Sequence, residues 1–330
     1  MSESITAQID VRAGLEARLE EHRRELTAYA YRMLGSAFEA EDAVQETFLR
    51  AWRGFDEFEG RAALRSWLYR ICTNVCLDML SGSQRRARPM DLSEPRHADE
   101  TLPPPIAESA WILPVPDARV IDIEADPADL AVERESIRLA FVAALQHLPP
   151  KQRAVLILRE VLHWKAAEAA ELLETSVQSV NSALQRARAT LSSVDVSGDG
   201  SEPMSEEQRV LLARYVEAFE RYDMSALTAL LHEDATWSMP PYEMWLRGHA
   251  DIEAWCMGRG IGCKGSRLVA TVANGMPAFG QYRPSGPGGR HEAWSLQVLE
   301  ISDGRIVGAS FFLDTPQLFP LFGLPLTLEP

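Results

Sequence analysis

Apolar residues recur at helical spacing from residue 12 to about 88, with few Gly or Pro to interrupt them, so this stretch is predicted to be helical throughout. Within it, "EDAVQETFLRAW" (41–52) puts Val44, Phe48, Ala51 and Trp52 on one apolar stripe, expected to face a core. Asp42, Gln45, Glu46 and Leu49 fall on the other face, where a leucine stands among acids. "FEGRAALRSWLYRICTNVCLDML" (58–80) begins in a Gly-containing loop and continues as a helix packed through Leu64, Leu68, Ile71 and Val75. Arg61, Arg65, Tyr69 and Asn74 lie off that stripe, and Arg85, Arg86 and Arg88 follow just beyond it.

The pattern breaks at Pro89. Residues 91–133 are acidic and proline-rich ("LPPPIAESAWILPVPD") with no sustained period, which is linker composition. Helical periodicity returns over 134–192 and ends in a second linker of small and polar residues, 193–204. Beyond it the chain changes character. A helix is predicted near 205–222, and strands follow. Asn274-Gly275 and Asp303-Gly304 each stand between apolar runs, a hairpin signal. Helices first and hairpins later describe an α+β domain over 205–330.

The length, 330 residues, suits two or three domains, and 46% hydrophobic residues supply real cores. No apolar run approaches a membrane span, and "MSESITAQID" lacks the basic start and apolar stretch of a signal peptide, so a cytoplasmic protein is expected. Of four cysteines, Cys72 and Cys76 are one helical turn apart, and Cys256 and Cys263 are remote from them. With neither a CxxC pair nor a histidine cluster nearby, they are expected to be reduced packing thiols. No metal and no cofactor is indicated. The formal charge of −15 opposes general affinity for DNA, but "SQRRAR" (83–88) and "QRARA" (185–189) are basic. The charge therefore predicts weak DNA binding by the isolated chain, not its absence.

The most informative stretch is "WKAAEAAELLETSVQSVNSALQRARATL" (164–191). A first helix near 165–173 carries small residues for close packing. Thr175 or Ser176 can cap a second, whose buried face is Val177, Val180, Leu184, Ala187 and Leu191. Gln178, Ser179, Ser182, Gln185 and Arg186 share the opposite side, with Arg188 nearby, and these groups hydrogen-bond base edges and phosphates. This fits a recognition helix in the major groove; a plain helical hairpin with a polar face is the alternative. Arginines and aromatics in 58–88 likewise suit single-stranded DNA, or else a solvated basic face.

The order of "EDAVQETFLRAW", "FEGRAALRSWLYRICTN", an acidic linker, "LPPKQRAVLILREV" and the helix-turn-helix resembles the extracytoplasmic-function sigma factors of the sigma-70 family. The resemblance implies two all-α domains: sigma region two within 1–90, and region four over 134–192. It implies that Asp42, Gln45, Glu46 and Leu49 dock on the β′ clamp helices of core RNA polymerase, and that Leu156 and Leu158 partly face the β flap. It implies further that Phe58, Arg61, Arg65, Tyr69, Asn74, Arg85, Arg86 and Arg88 serve −10 recognition. Phe58 and Asn74 match positions around the pocket for a flipped base. Gln178, Ser179, Ser182, Gln185, Arg186 and Arg188 would then serve −35 recognition. Glu59 stands where many relatives carry a basic residue.

The remaining 205–330, with "NGMPAFGQY" and its hairpins, looks like the SnoaL-like branch of the NTF2-like cone, an extension that several sigma subgroups carry. Pocket candidates are Trp237, Met239, Trp245, Phe279, Tyr282, Trp294 and Phe311. Enzymes of this fold need a tuned carboxylate or histidine in the pocket, and the candidates are Asp234, His249, His291 and Asp314. No spacing supports them, so regulation in cis without chemistry is expected. A ligand-binding or isomerase/cyclase-like domain, and an ordinary helix-turn-helix regulator, are the alternatives. The terminal "FPLFGLPLTL" reads as exposed apolar anchors seeking a partner.

Overall fold

The computed structural model describes residues 14–55, 58, 63–122, 124, 126–192, 204–285 and 288–329. The chain divides into two compact units. One comprises residues 1–85, 118–137 and 141–195; the other comprises 86–117, 138–140 and 196–330. No described helix is long and apolar enough to cross a membrane.

The first unit is helical. Helix α1 (Arg23–Leu34) packs on α2 (Ala37–Gly54) and α3 (Leu64–Leu80). Gly35, in the left-handed region at φ 74, closes α1, and the Ser36 hydroxyl caps α2 at the Glu39 amide. The buried face of α2 is Ala37, Ala40, Ala43, Val44, Thr47 and Ala51. Small residues there let α1 approach closely. The expected stripe is therefore rotated: Phe48 is half-buried and Trp52 is 37% exposed. The rotation follows from size, because an alanine-lined seam leaves no room for the indole. Helix α3 ends at Leu80, and the residues up to 88 are not helical.

Helical structure resumes at Pro127, inside the expected linker, with α4 (Pro127–Ile137), α5 (Leu139–Gln146) and α6 (Pro150–Leu156). A π-helical turn at Ile157–Val161 follows α6. Then come α7 (Ala166–Leu172) and α8 (Val177–Leu191), the helix-turn-helix. Ser176, not Thr175, caps α8, its hydroxyl accepting from the Ser179 amide at 3.1 Å.

The second unit is α+β. Helices α9 (Glu206–Arg221) and α10 (Met224–Thr228) precede β1 (Leu231–Ser238), β2 (Trp245–Arg247), α11 (His249–Met257), β3 (Arg267–Ala273), β4 (Met276–Pro284), β5 (His291–Ser302) and β6 (Arg305–Phe312). A last helix α12 (Thr315–Leu321) leads to a short strand β7 (Thr327–Leu328). The strand order is β2-β1-β6-β5-β4-β3, with β7 on β5; only β1 and β6 pair in parallel. The Asn274-Gly275 and Asp303-Gly304 turns form as expected, each residue at positive φ.

Two expectations about this unit are corrected. Residues 86–117 are not a free linker: they belong to this unit, with Trp111, Ile112, Leu113 and Val115 all buried. Ser93 accepts from the Trp245 indole at 2.9 Å, the Ala98 amide donates to Asp251 at 3.0 Å, and Ile106 donates to the Pro241 carbonyl at 2.9 Å. At the far end Val115 and Asn274 exchange two hydrogen bonds of 3.0 Å, one through the Asn274 side chain. We call this segment the strap. The C-terminal tail is likewise largely covered: Phe319 and Leu324 are buried against Gly280, and the Phe319 ring meets Tyr282 at 5.2 Å. Leu321 and Phe322 are half-buried, and only Leu326 of the expected anchors stands exposed.

Asn274 thus serves two roles, a left-handed turn residue at φ 57 and a buried acceptor for the strap. Asn274→Ala leaves the Val115 amide unpaired and is expected to cost about 1–3 kcal/mol of local stability. Amide hydrogen exchange at Val115 should rise roughly tenfold or more, and Asn274→Asp, which keeps the acceptor oxygen, should rise less. Equal exchange in wild type and Asn274→Ala would refute the role.

Candidate nucleic-acid interface

On α2, Asp42, Gln45 and Leu49 are exposed, Leu49 by 52%, and Glu46 is half-buried. Glu46 accepts from Arg50 at 2.7 Å, and Arg50 also reaches Asp78 at 3.2 Å. Trp52 lies one helical turn on from Leu49 and is exposed too. The face is therefore acidic with an apolar pair, broader than the pattern suggested. Beside it, Glu41 pairs with Arg119 at 3.1 Å and Arg24 with Asp122 at 2.6 Å, holding residues 119–122 to the first two helices.

The residues expected to face melted DNA divide sharply. Phe58 is half-buried and stacks between Phe55 and Trp67, its ring 4.7 Å from the indole. Asn74 is exposed. Arg61, like Glu59, lies outside the described residues. Tyr69 is not an open stacking platform: it is fully buried, because its ring sits edge-on to Tyr29 at 5.3 Å and against Trp164 at 5.1 Å. Its hydroxyl donates to Glu25 at 3.1 Å, and burial raises its pKa well above the usual phenol range. Arg65 donates to the same Glu25 oxygen at 2.7 Å, and its guanidinium lies 5.0 Å from the Tyr69 ring centre and 5.5 Å from that of Trp164.

Arg85 is exposed and meets His147 at 3.0 Å. Arg86 is buried and spent within the strap, donating to the Glu108 and Trp111 carbonyls at 3.0 and 2.6 Å. Arg88 is occupied by Asp91 at 3.2 Å. Neither is presented to a nucleic acid, since Arg86 is spent on backbone carbonyls and Arg88 on a carboxylate.

Trp164 owes its position to irregular backbone. The π-helical turn ends with Leu162 donating to Ile157 and Trp164 donating to Leu158, both at 2.9 Å, and His163 adopts φ 54. These distortions turn the indole away from its own helix and onto Tyr69, and its N–H is buried without a partner. Below it, Leu156 and Leu158 are both buried, so neither faces outward as expected. They fill the core under the helix-turn-helix.

Arg153 secures this packing. Its buried guanidinium donates to the carbonyls of Leu145, Gln146 and Leu148 at 2.9–3.3 Å, to the Gln146 side chain at 2.6 Å, and to the Met33 carbonyl at the end of α1. Burial brings its pKa down to about 10, so it is cationic at neutral pH.

On α8, Val180, Leu184 and Ala187 are buried, but Val177 is exposed, as befits the first turn. Gln178, Ser179, Gln185, Arg186 and Arg188 are exposed and Ser182 is half-buried, so one polar face is brought together. The Ser179 hydroxyl meets that of Ser176 at 2.9 Å, and Arg188 pairs with Glu160 at 2.7 Å.

Residues 19–86 match the family Sigma-70 region 2, and residues 138–191 match Sigma-70, region 4. Residues 212–309 match the SnoaL-like domain. The ECF RNA polymerase sigma factor SigG of Mycobacterium tuberculosis is 45% identical over 324 residues, which cover 95% of this chain and 85% of that relative. The chain belongs to the ECF RNA polymerase sigma factors. SigJ of the same organism, also an ECF RNA polymerase sigma factor, is 28% identical over 302 residues, 88% of each chain. The crystal structure of SigJ superposes with a TM-score of 0.58 at 23% identity, covering 94% of this chain and 99% of that one, so the fold is shared nearly end to end. This sigma factor accordingly works with RNA polymerase and promoter DNA, through regions two and four.

Removing Arg153 leaves carbonyls of α5 and Met33 buried without a donor. Arg153→Ala is expected to lower stability by about 3–5 kcal/mol. Thermal unfolding followed by far-ultraviolet circular dichroism checks it, and a melting temperature within a degree of wild type would refute the clasp.

Proposed function

We propose that Asp42, Gln45, Glu46 and Leu49, joined by Trp52, form the surface that docks on the β′ clamp helices of core polymerase. The carrying observation is the pairing of an exposed leucine and an exposed tryptophan with acids on one helix face. An acidic rim around apolar anchors complements a basic partner. Gln178, Ser179, Ser182, Gln185 and Arg186 read the −35 element, for their groups share one face of α8. Arg188 assists there once it leaves Glu160. Phe58, Arg61, Arg65, Tyr69, Asn74 and Arg85 serve the −10 element.

The arrangement described is a resting form. Trp164 and Glu25 hold Arg65 and Tyr69 away from DNA, so promoter melting requires region four to leave region two. Contact with the β flap and the β′ clamp supplies that separation. The C-terminal domain acts in cis and without chemistry. Its support is the strap: one segment of chain, 86–117, is built into the C-terminal unit and is continuous with region two at one end. None of Asp234, His249, His291 and Asp314 lines the apolar pocket of that domain. His249 and His291 are engaged by backbone carbonyls at 2.9–3.3 Å, and Asp234 is exposed.

Leu49→Asp, and separately Glu46→Lys, should weaken assembly with core polymerase at least tenfold, while circular dichroism stays native. Fluorescence anisotropy with labelled protein measures it; unchanged affinity in both variants would reduce the face to solvated surface.

Trp164→Ala removes the cover from Tyr69. The isolated chain should then bind a single-stranded −10 oligonucleotide several-fold tighter than wild type does, and exchange across α3 should quicken. Oligonucleotide binding no stronger than wild type would sink the resting-form reading.

A further inference from the structure

Four of the seven expected pocket residues line the apolar pocket of the C-terminal domain: Trp237, Met239, Trp294 and Phe311. The other three do not. Trp245 is drawn to Ser93 of the strap, Phe279 packs on Tyr215 at 5.8 Å, and Tyr282 turns to Phe319 and the Pro325 carbonyl. Of the four, Trp294 alone stands exposed, at 38%, and it leads out of the pocket onto the surface of the glycine-rich loop that follows α11.

That surface opposes the sign of its own protein. Residues 254–291 contain five cations, Arg259, Lys264, Arg267, Arg283 and Arg290, and no Asp or Glu. Against a formal total of −15, this leaves the rest of the chain at −20. Arg259, Lys264 and Arg267 are exposed. Of the five, only Arg290 has an ion pair among the described residues, with Glu329 at 3.4 Å. Two acids border the patch without neutralising it: Glu220 is turned onto the Leu268 amide at 2.9 Å, and Glu292 stands opposite Arg283 in the sheet.

The loop is pinned, yet it presents apolar side chains to water. The Tyr222 hydroxyl lies 2.7 and 2.8 Å from the Cys256 and Gly260 carbonyls. The Ser266 hydroxyl donates to the Cys263 carbonyl at 2.7 Å, and Arg283 donates to that of Gly262 at 2.7 Å. Only glycine fits at 262, because a Cβ there would stand 2.0 Å from the Arg283 guanidinium. The same guanidinium lies 3.9 Å from the Trp294 ring centre and fixes the indole beside the loop. Met257, 56% exposed, and Ile261, 46% exposed, are therefore held out by a built backbone, with Arg259 between them and Lys264 just beyond.

We infer that this surface binds a single-stranded nucleic acid without regard to sequence. Arg259, Lys264 and Arg267 take phosphates, while Met257, Ile261 and the fixed indole of Trp294 take the faces of unstacked bases. Both features are needed to name the ligand. A duplex offers phosphates but keeps its bases stacked inside, so the apolar side chains would gain nothing from it. An anionic membrane offers charge and apolar depth together. It is a plane, however, and would bring the rest of the chain, at −20, against its own negative charge. A single strand is a narrow line of charge and meets the patch alone. An acidic protein segment supplies carboxylates but not a succession of flat apolar faces. The inference does not rest on how regions two and four meet DNA, nor on the docking of α2.

The test uses the full chain and a fluorescein-labelled oligothymidylate of about twelve nucleotides, which carries no promoter sequence. Anisotropy should show saturable binding at low salt. The slope of log affinity against log salt should be about −2, the value for about three phosphates on a single strand. Arg259→Glu combined with Lys264→Glu should weaken binding about tenfold or more and flatten that slope. Trp294→Ala should weaken it about fivefold or more, and Trp294→Phe, which keeps a ring, by less. A duplex of the same length and vesicles of phosphatidylglycerol should each bind more weakly, and polyglutamate of equal charge should compete poorly. Unchanged affinity in the double charge reversal would put the strand elsewhere on the chain and overturn the inference. So would no loss in Trp294→Ala, or binding of duplex, vesicle or polyglutamate as tight as that of the single strand. The charge reversals lie on exposed side chains, and the wild-type comparison of ligands decides the matter even if Trp294→Ala fails to fold.

Discussion

A guanidinium taken out of water must be met by acceptors, and Arg153 has only one place to find enough of them. The last carbonyls of a helix have no partner within it and carry the negative end of its dipole. Arg153 sits where two such ends converge, that of α5 with its following turn and that of α1 at Met33. One buried cation therefore ties region four to region two. Arg32 repeats the device on the other side of α1. Its buried guanidinium donates to Ser136 at 2.6 and 3.1 Å, and burial lowers its pKa to about 10. Neither arginine is replaceable by an apolar residue alone, since the carbonyls would remain. With these clasps set, α6 cannot rotate, and the π-helical turn that follows it must deliver Trp164 to Tyr69.

Glu25 completes the arrangement from the other side. It collects His22 at 2.6 Å, Arg65 at 2.7 Å and the Tyr69 hydroxyl at 3.1 Å. The groove above them, about 870 Å³, is lined by acids from α1 and from residues 122–133, among them Glu21, Asp122, Asp129 and Glu133. A phosphate backbone entering it would meet negative charge. The overall charge of −15 then has a local expression: the polar face of α8 stays open, while Arg65 and Tyr69 lie beside carboxylates. In the proposed reading, affinity for promoter DNA is held back by geometry and charge together until polymerase separates the two regions. In the same reading, the exposed face of α2 that carries Leu49 and Trp52 is already open, so assembly with polymerase can precede that separation.

Much of this was legible in the chain. The Asn-Gly and Asp-Gly turns, the Ser176 cap and the polar face of α8 depend on local chemistry, and local chemistry is what a sequence displays. Failures occurred where a distant partner decides the outcome. Periodicity placed Tyr69 off the packed stripe of α3, but it lies on the buried face, covered by Tyr29 and by Trp164, some 95 residues on. Trp52 falls on the apolar period of α2, but the alanine seam has no room for an indole and excludes it. Residues 91–133 looked like a linker because proline and acid dominate their composition. The signal against that reading was "AWILPV", a continuous apolar run that open solvent would not tolerate. Arg86 appeared basic and available, but the Glu108 and Trp111 carbonyls, more than twenty residues on, engage it.

The strap also changes what the C-terminal domain is. A domain joined only by the 193–204 segment could be cut away without disturbing the rest. This one includes residues from between regions two and four, so removing 205–330 would leave Trp111, Ile112, Leu113 and Val115 without their cover. An effect of that truncation on transcription would then mix lost regulation with an exposed apolar segment. Substitutions within the strap separate the two, because they loosen the attachment while both units remain present. In the proposed reading, the same attachment lets the domain act on the chain independently of its pocket. Its pocket keeps aromatic walls and carries no Asp, Glu, His, Lys or Arg, and its sheet is committed to holding the strap and its own tail. In the proposed reading, restraint of the chain between two promoter-reading regions requires only that the strap stay bound.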